Sequence, residues 1–133
     1  MKNALFVLLP SVFVALTSCN LFDREPDQSV ILSVTKIEAP ATVSTGSSFT
    51  VTFTVQFDGC MHFDRLAVEK FNTGVRVVPW GTDATIGHPE IVCPDILRQQ
   101  SQAIQIDPPF SGPFQVYVDQ GRLAPVTATI QVQ

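Results

Sequence analysis

Phe49, Val51, Phe53, Val55 and Phe57 alternate with Thr50, Thr52, Thr54 and Gln56. A period of two puts the apolar set on one face of an extended chain and the polar set on the other, which predicts a half-buried β-strand. The C-terminus repeats the pattern, with Val126, Ala128, Ile130 and Val132 on one face, and so does the stretch carrying Phe114, Val116 and Val118. Gln120-Gly121-Arg122 reads as the turn joining these last two strands. Val30 to Ile37 predicts a first strand and His62 to Phe71 a third. In the third the alternation slips between Phe63 and Leu66, which predicts a bulge or a change of face. Asn72-Thr73-Gly74 then turns into Val75–Trp80, and Ser101–Ile106 forms a further strand before Asp107-Pro108-Pro109. Proline and glycine punctuate about seven such strands, and no segment carries a helical period. The expected fold is all-β, a single antiparallel β-sandwich over residues 30–133.

The N-terminus follows a different grammar. Met1-Lys2-Asn3 is a short positive start, followed by the apolar run Ala4–Leu16 and then the small residues Thr17 and Ser18. These features predict a secretory signal peptide over residues 1–18. As a helix, Ala4 to Ser18 would rise roughly 22 Å. That is short of the ~30 Å hydrocarbon core of a bilayer, and Pro10 interrupts it.

The end of this leader, Leu16-Thr17-Ser18-Cys19, resembles the lipobox of bacterial prolipoproteins: a leucine, two small residues and an obligatory cysteine. The resemblance implies that Leu16, Thr17 and Ser18 are the recognition positions for cleavage. It implies that Cys19 receives a diacylglyceryl group and becomes the first residue of the mature chain. Two or three acyl chains make a stable anchor where one does not. Asn20, in place of an aspartate, favours the outer membrane in a Gram-negative cell. Residues 19–29 are then the lipidated cysteine and a short polar tether, and the expected location is the cell envelope, on the extracytoplasmic side of a membrane. The order and spacing of the strands resemble immunoglobulin-like domains. Neither Phe49–Phe57 nor Phe114–Val118 carries the cysteine that such domains use between their sheets.

Composition narrows the partners. The whole chain carries a net charge of −4, and loss of Lys2 with the leader makes the remainder more acidic. Phosphate backbones need a basic face, so nucleic acid is excluded as a partner, as is a polybasic grip on anionic lipid. With Cys19 taken by lipid, Cys60 and Cys93 remain, and in an oxidising compartment they have one intramolecular pairing open to them. Closing that segment would stabilise by about 3 to 4 kcal/mol. The bridge would also tie down Pro79–Gln100, a long stretch broken by prolines and glycines, in which Cys93-Pro94-Asp95-Ile96-Leu97 could form one helical turn.

Candidate chemistry clusters near the two cysteines. His62 and Asp64 follow Cys60, and His88 and Glu90 precede Cys93. A bridge would bring these four toward one neighbourhood, a conceivable Zn²⁺ or Cu²⁺ set, with Met61 suited to copper. No spacing among them matches a metal motif, so no metal or cofactor is expected. No nucleophile elbow or phosphate loop occurs. Trp80, Phe110 and Tyr117 are the large side chains most suited to binding. Trp80, between Pro79 and Gly81, could be an exposed anchor at a strand end or a cap on the core. Pro79-Trp80 resembles a pair in protease-inhibiting immunoglobulin-like proteins, whose other loop motifs are missing here. The expectation is a non-catalytic, lipid-anchored binding or structural module whose partner is an envelope protein or a glycan. The alternative is an envelope metal-binding protein using His62 and His88.

Overall fold

A computed structural model describes residues 28–133. Nine strands and no helix occur among the described residues: β1 (Ser29–Ile31), β2 (Ser33–Glu38), β3 (Thr42–Val43), β4 (Phe49–Phe57), β5 (Met61–Phe71), β6 (Gly74–Asp83), β7 (Arg98–Ile106), β8 (Phe114–Val118) and β9 (Val126–Val132). One sheet has three strands in the order β2-β4-β7. The other has six, with β6 paired along its length to β5 on one side and to β8 and then β1 on the other, followed by β9 and β3.

The two sheets close on one apolar core. Val51, Phe53 and Val55 of β4, Val77 of β6, Phe114, Val116 and Val118 of β8 and Ile130 of β9 are all fully buried. These are the positions that the period of two assigns to the inner face, and their threonine and glutamine neighbours point outward. At one end of the core Phe110 joins Phe49 and Phe114 in a triangle of edge-to-face rings, with centroids 5.2 to 5.6 Å apart.

Three features depart from the sequence expectation. First, the strand expected over Val30–Ile37 is two strands in different sheets. β1 pairs with β6, Leu32 donates its N–H to Pro79 O at 2.8 Å, and the chain then crosses to pair with β4 as β2. Val30, Leu32 and Val34 all still face the core, so the apolar period is unbroken by the crossing. Ser29, expected to precede the first strand, already pairs with Thr82 as part of β1.

Second, two of the strand pairings are parallel, β3 with β9 and β6 with β8. Parallel neighbours need a long connection, and residues 84–113, which include β7, supply it between β6 and β8. Third, no helical turn forms at Cys93–Leu97, where the chain is irregular. The slip in the third strand is a bulge at Asp64, between the Phe63–Gly81 and Arg65–Trp80 pairs. Pro79 sits inside β6 without breaking it. Its carbonyl, and so its nitrogen, faces the gap where β8 has ended at Val77 and β1 has not begun, and no ladder there loses a donor.

Gln120 is the one polar side chain buried in this core among the described residues, at 7% exposure. Its Oε1 accepts the N–H of Val34 at 2.5 Å, and its Nε2 donates to Ala124 O at 2.8 Å. It therefore satisfies a donor freed where the chain switches sheets, and it braces the turn before β9. Gln120→Leu is expected to lower unfolding free energy by about 1–3 kcal/mol, because Val34 N–H is left buried without an acceptor. Urea titration checks this, with the exposed Gln99→Leu as the near-neutral comparison.

Candidate functional site

β6 presents two faces. Val75, Val77, Pro79 and Gly81 point into the core, while Arg76, Val78, Trp80 and Thr82 form the outward row. The hairpin β5–β6 sets Phe71 opposite Gly74, and the parallel register sets Tyr117 of β8 opposite Arg76. Phe71 and Tyr117 thus stand on either side of a residue with no side chain. Between them lies an open groove of about 310 Å³, floored by Gly74 and bordered by Thr73, Arg76 and Gln115. Phe71 is 51% exposed and Tyr117 41%, so both side chains are accessible to a partner.

Gly74 is required here. A Cβ at this position would meet Gln115 O at 2.6 Å. The same absence that allows the close approach of β8 leaves the floor of the groove open.

The groove is fixed in place by its surroundings. Arg76 donates to Asp119 at 2.5 Å and lies 3.8 Å from Glu69. The hydrogen bond and charge of Asp119 hold the guanidinium above its ordinary pKa. In turn Arg76, then the N–H of Gly121, hold Asp119 below the usual carboxylate range. Gln115 accepts from Thr129 at 3.0 Å. Two aromatic walls on strands, with a held cation and an amide at the rim, can receive a ring or other flat apolar group. They can also satisfy polar groups beside it.

Cys60 and Cys93 form a disulfide, with Cα atoms 5.2 Å apart. The bridge ties residues 84–97 to the turn between β4 and β5. There Asp58 Oδ1 accepts from the N–H groups of Cys60 and Met61, and Gly59 lies so close that a Cβ would meet Pro94 O at 2.5 Å.

The histidines separate into two local pairs. His62 Nε2 is 3.0 Å from Asp64, whose other oxygen accepts from Thr82 at 2.7 Å. His88 Nδ1 is 3.2 Å from Glu90. The Glu90 carboxyl sits below its ordinary pKa because of its own backbone N–H and then His88. Among the described residues no three histidine, cysteine, aspartate or glutamate side chains gather as a metal-holding group. The disulfide brings Cys60 and Cys93 together without drawing His62, Asp64, His88 and Glu90 into one set, because His62 and Asp64 lie on the outward face of β5.

Compared with known proteins, the chain matches no family model, no curated protein and no solved structure. What it does therefore has to be argued from its own residues.

Trp80 is neither on a loop nor over the core. β6 runs three residues beyond it to Asp83, and its indole lies half-buried on the outward row, beside Ser29, Asp64 and Arg65. Phe110 is 4% exposed and belongs to the core, so of the three large side chains considered for binding it offers nothing to a partner. Tyr117 does line the groove. Sequence reasoning missed Phe71, Gly74 and Arg76, although a signal was present: an aromatic and a glycine directly flank the Asn72-Thr73 turn. Leu16, Thr17, Ser18 and Cys19 lie outside the described residues.

Proposed function

We propose that this chain is a bacterial lipoprotein. In this reading it is anchored through Cys19 on the extracytoplasmic side of an envelope membrane, and its immunoglobulin-like β domain is a non-catalytic binding module. The leader that ends at Leu16-Thr17-Ser18-Cys19 supports the anchor. The Cys60–Cys93 bridge supports an oxidising compartment. The observation that carries the binding role is the groove between Phe71 and Tyr117, where two large rings are held half-exposed over a glycine floor. Aromatic side chains fixed on strands offer large contact area at little further entropy cost, which suits them to recognition. The partner is an envelope protein or a glycan that presents a ring or flat apolar group to this groove.

The anchor is tested directly in cells expressing the full chain. Cys19→Ser is expected to abolish incorporation of labelled fatty acid and to move the chain out of the washed membrane fraction. Retention of both label and membrane association by that variant would sink the lipoprotein reading.

A further inference from the structure

The two ends of the sandwich differ in what they expose. At one end the β5–β6 hairpin closes with Phe71 opposite Gly74, and the groove lies there. At the other end Met61 pairs with Asp83, and Phe57 pairs with Arg98. Ile31, Ile91, Val92, Ile96, Leu97 and Leu123 are exposed at this second end. Ile31, Leu97 and Leu123 share one recess of about 270 Å³ with Asp58 and Met61. The Cys60–Cys93 bridge and the seat of Pro94 on Gly59 hold residues 91–97 over that same turn. A single exposed apolar side chain needs no explanation, but a group gathered on one end does.

The chain also enters the domain at this end. Gln28 accepts the Asp83 N–H through its carbonyl at 2.9 Å and donates its side-chain amide to Ile86 O at 3.2 Å. Cys19 lies nine residues before Gln28, and nine residues reach about 30 Å at most. Arg98 and Arg122 adjoin Leu97 and Leu123 in the chain, and among the described residues neither guanidinium has an ion pair or hydrogen bond. The acidic groups nearby are mostly held by the protein. Asp58 and Asp83 accept from backbone N–H groups of their own turns, and Glu90 lies against His88. Asp95 stays exposed between Val92 and Ile96.

We propose that this end of the domain rests on the lipid surface to which Cys19 anchors it. Ile91, Val92, Leu97 and Leu123 enter the zone between headgroups and acyl chains. Arg98 and Arg122 lie at the level of the lipid phosphates, with their stems along the apolar surface. Asp95 keeps the contact shallow, because its charge stays in water. The tether selects lipid as the occupant. It holds the bilayer within reach of this end at all times, so a weak apolar contact suffices where a free partner would need a strong one. Two arginines are fewer than a polybasic grip needs, so the contact is apolar first and requires no anionic lipid. β6 runs ten residues from Gly74 to Asp83, roughly 30 Å at the rise of a strand. Seating this end therefore holds the groove away from the bilayer and open to its partner. The inference rests on the Cys19 anchor and not on what the groove binds.

The test uses the full chain, purified from cell membranes and reconstituted into phosphatidylcholine vesicles whose brominated acyl chains quench tryptophan on contact. Val92→Trp, Leu123→Trp and Thr50→Trp are compared, Thr50 being exposed on β4 at the groove end. The unsubstituted chain, with Trp80 as its one tryptophan, gives the background to subtract. Quenching at 92 and at 123 is expected to exceed that at 50 about threefold or more. All three positions are exposed, and Leu97→Trp takes the place of any variant that fails to fold. The vesicles hold no other protein, so quenching there reports lipid alone. Fatty-acid content is read on the same preparations. Acylated chain with equal quenching at 92, 123 and 50 would overturn the seating and leave the anchor standing. Chain without fatty acid would end the anchor reading instead. Mixed directly with the same vesicles, that chain upholds the seating if 92 and 123 are quenched and overturns it if they are not.

Discussion

Replacing both Cys60 and Cys93 by alanine is expected to lower the stability of the folded chain by about 3 to 4 kcal/mol, within the usual range for a native disulfide in a small domain. The bridge spans 33 positions, and its loss returns that loop's freedom to the unfolded chain. It also changes the folded state. Apart from the bridge, residues 84–97 are held to the sheets mainly at their start, by Ala84 N–H to Cys60 O at 3.1 Å, Thr85 N–H and hydroxyl to Asp83 Oδ1 at 2.8 and 2.7 Å, Ile86 N–H to Asp83 O at 3.3 Å and the Gln28 amide to Ile86 O at 3.2 Å; further along there is the seat of Pro94 on Gly59. Val92 and Leu97 are 90% and 71% exposed, so the segment buries little apolar surface of its own. For a domain near a hundred residues this loss lowers the melting midpoint by roughly 15 °C or more. Reducing the wild-type protein should give a similar shift, and the double variant should no longer respond to reductant. A loss under about 1 kcal/mol would mean that the loop seats itself without the bridge.

Phe114→Ala is expected to cost about 3–5 kcal/mol, the range for truncating a buried aromatic. Phe114 is fully buried, is in edge-to-face contact with Phe49 and Phe110 at 5.6 Å, and opens β8 opposite Ile130. Its removal leaves a cavity bounded by strands of both sheets, which cannot collapse without separating the ladders. Phe71→Ala supplies the contrast: that ring is half-exposed on the outer face, and its loss should change stability by no more than about 0.5 kcal/mol. Urea titration of both variants checks the pair. Similar losses for the two would contradict the division made here between core rings and groove rings.

The limits of the sequence reading have physical causes. Where one face is buried and the other wet, as in Phe49–Phe57, Phe114–Val118 and Val126–Val132, the period of two marks the strands almost to the residue. It reports which side of a strand is buried, not which sheet the strand joins. Val30, Leu32 and Val34 keep their alternation through the change of sheet, so nothing local announces it. β7 begins at Arg98 rather than Ser101, and the alternation did not show it because Arg98, Gln99 and Gln100 are polar on both faces. The cysteine pairing was legible from arithmetic once Cys19 was set aside. The fate of the histidines was not, because an alternation that slips between Phe63 and Leu66 does not fix which face His62 and Asp64 present. Nor was the groove, which joins Phe71 to Tyr117 through a parallel register that spans more than forty intervening residues.

The central claim, an anchored domain that binds through its outer sheet face, is tested most directly by a photo-cross-linking residue placed at Tyr117 in the full-length chain in living cells. The account predicts a discrete adduct at position 117, lost when Phe71→Ala is added, and none at Thr50 on the outward face of the opposite sheet. Absence of an adduct at 117, or equal labelling at 117 and 50, would contradict it.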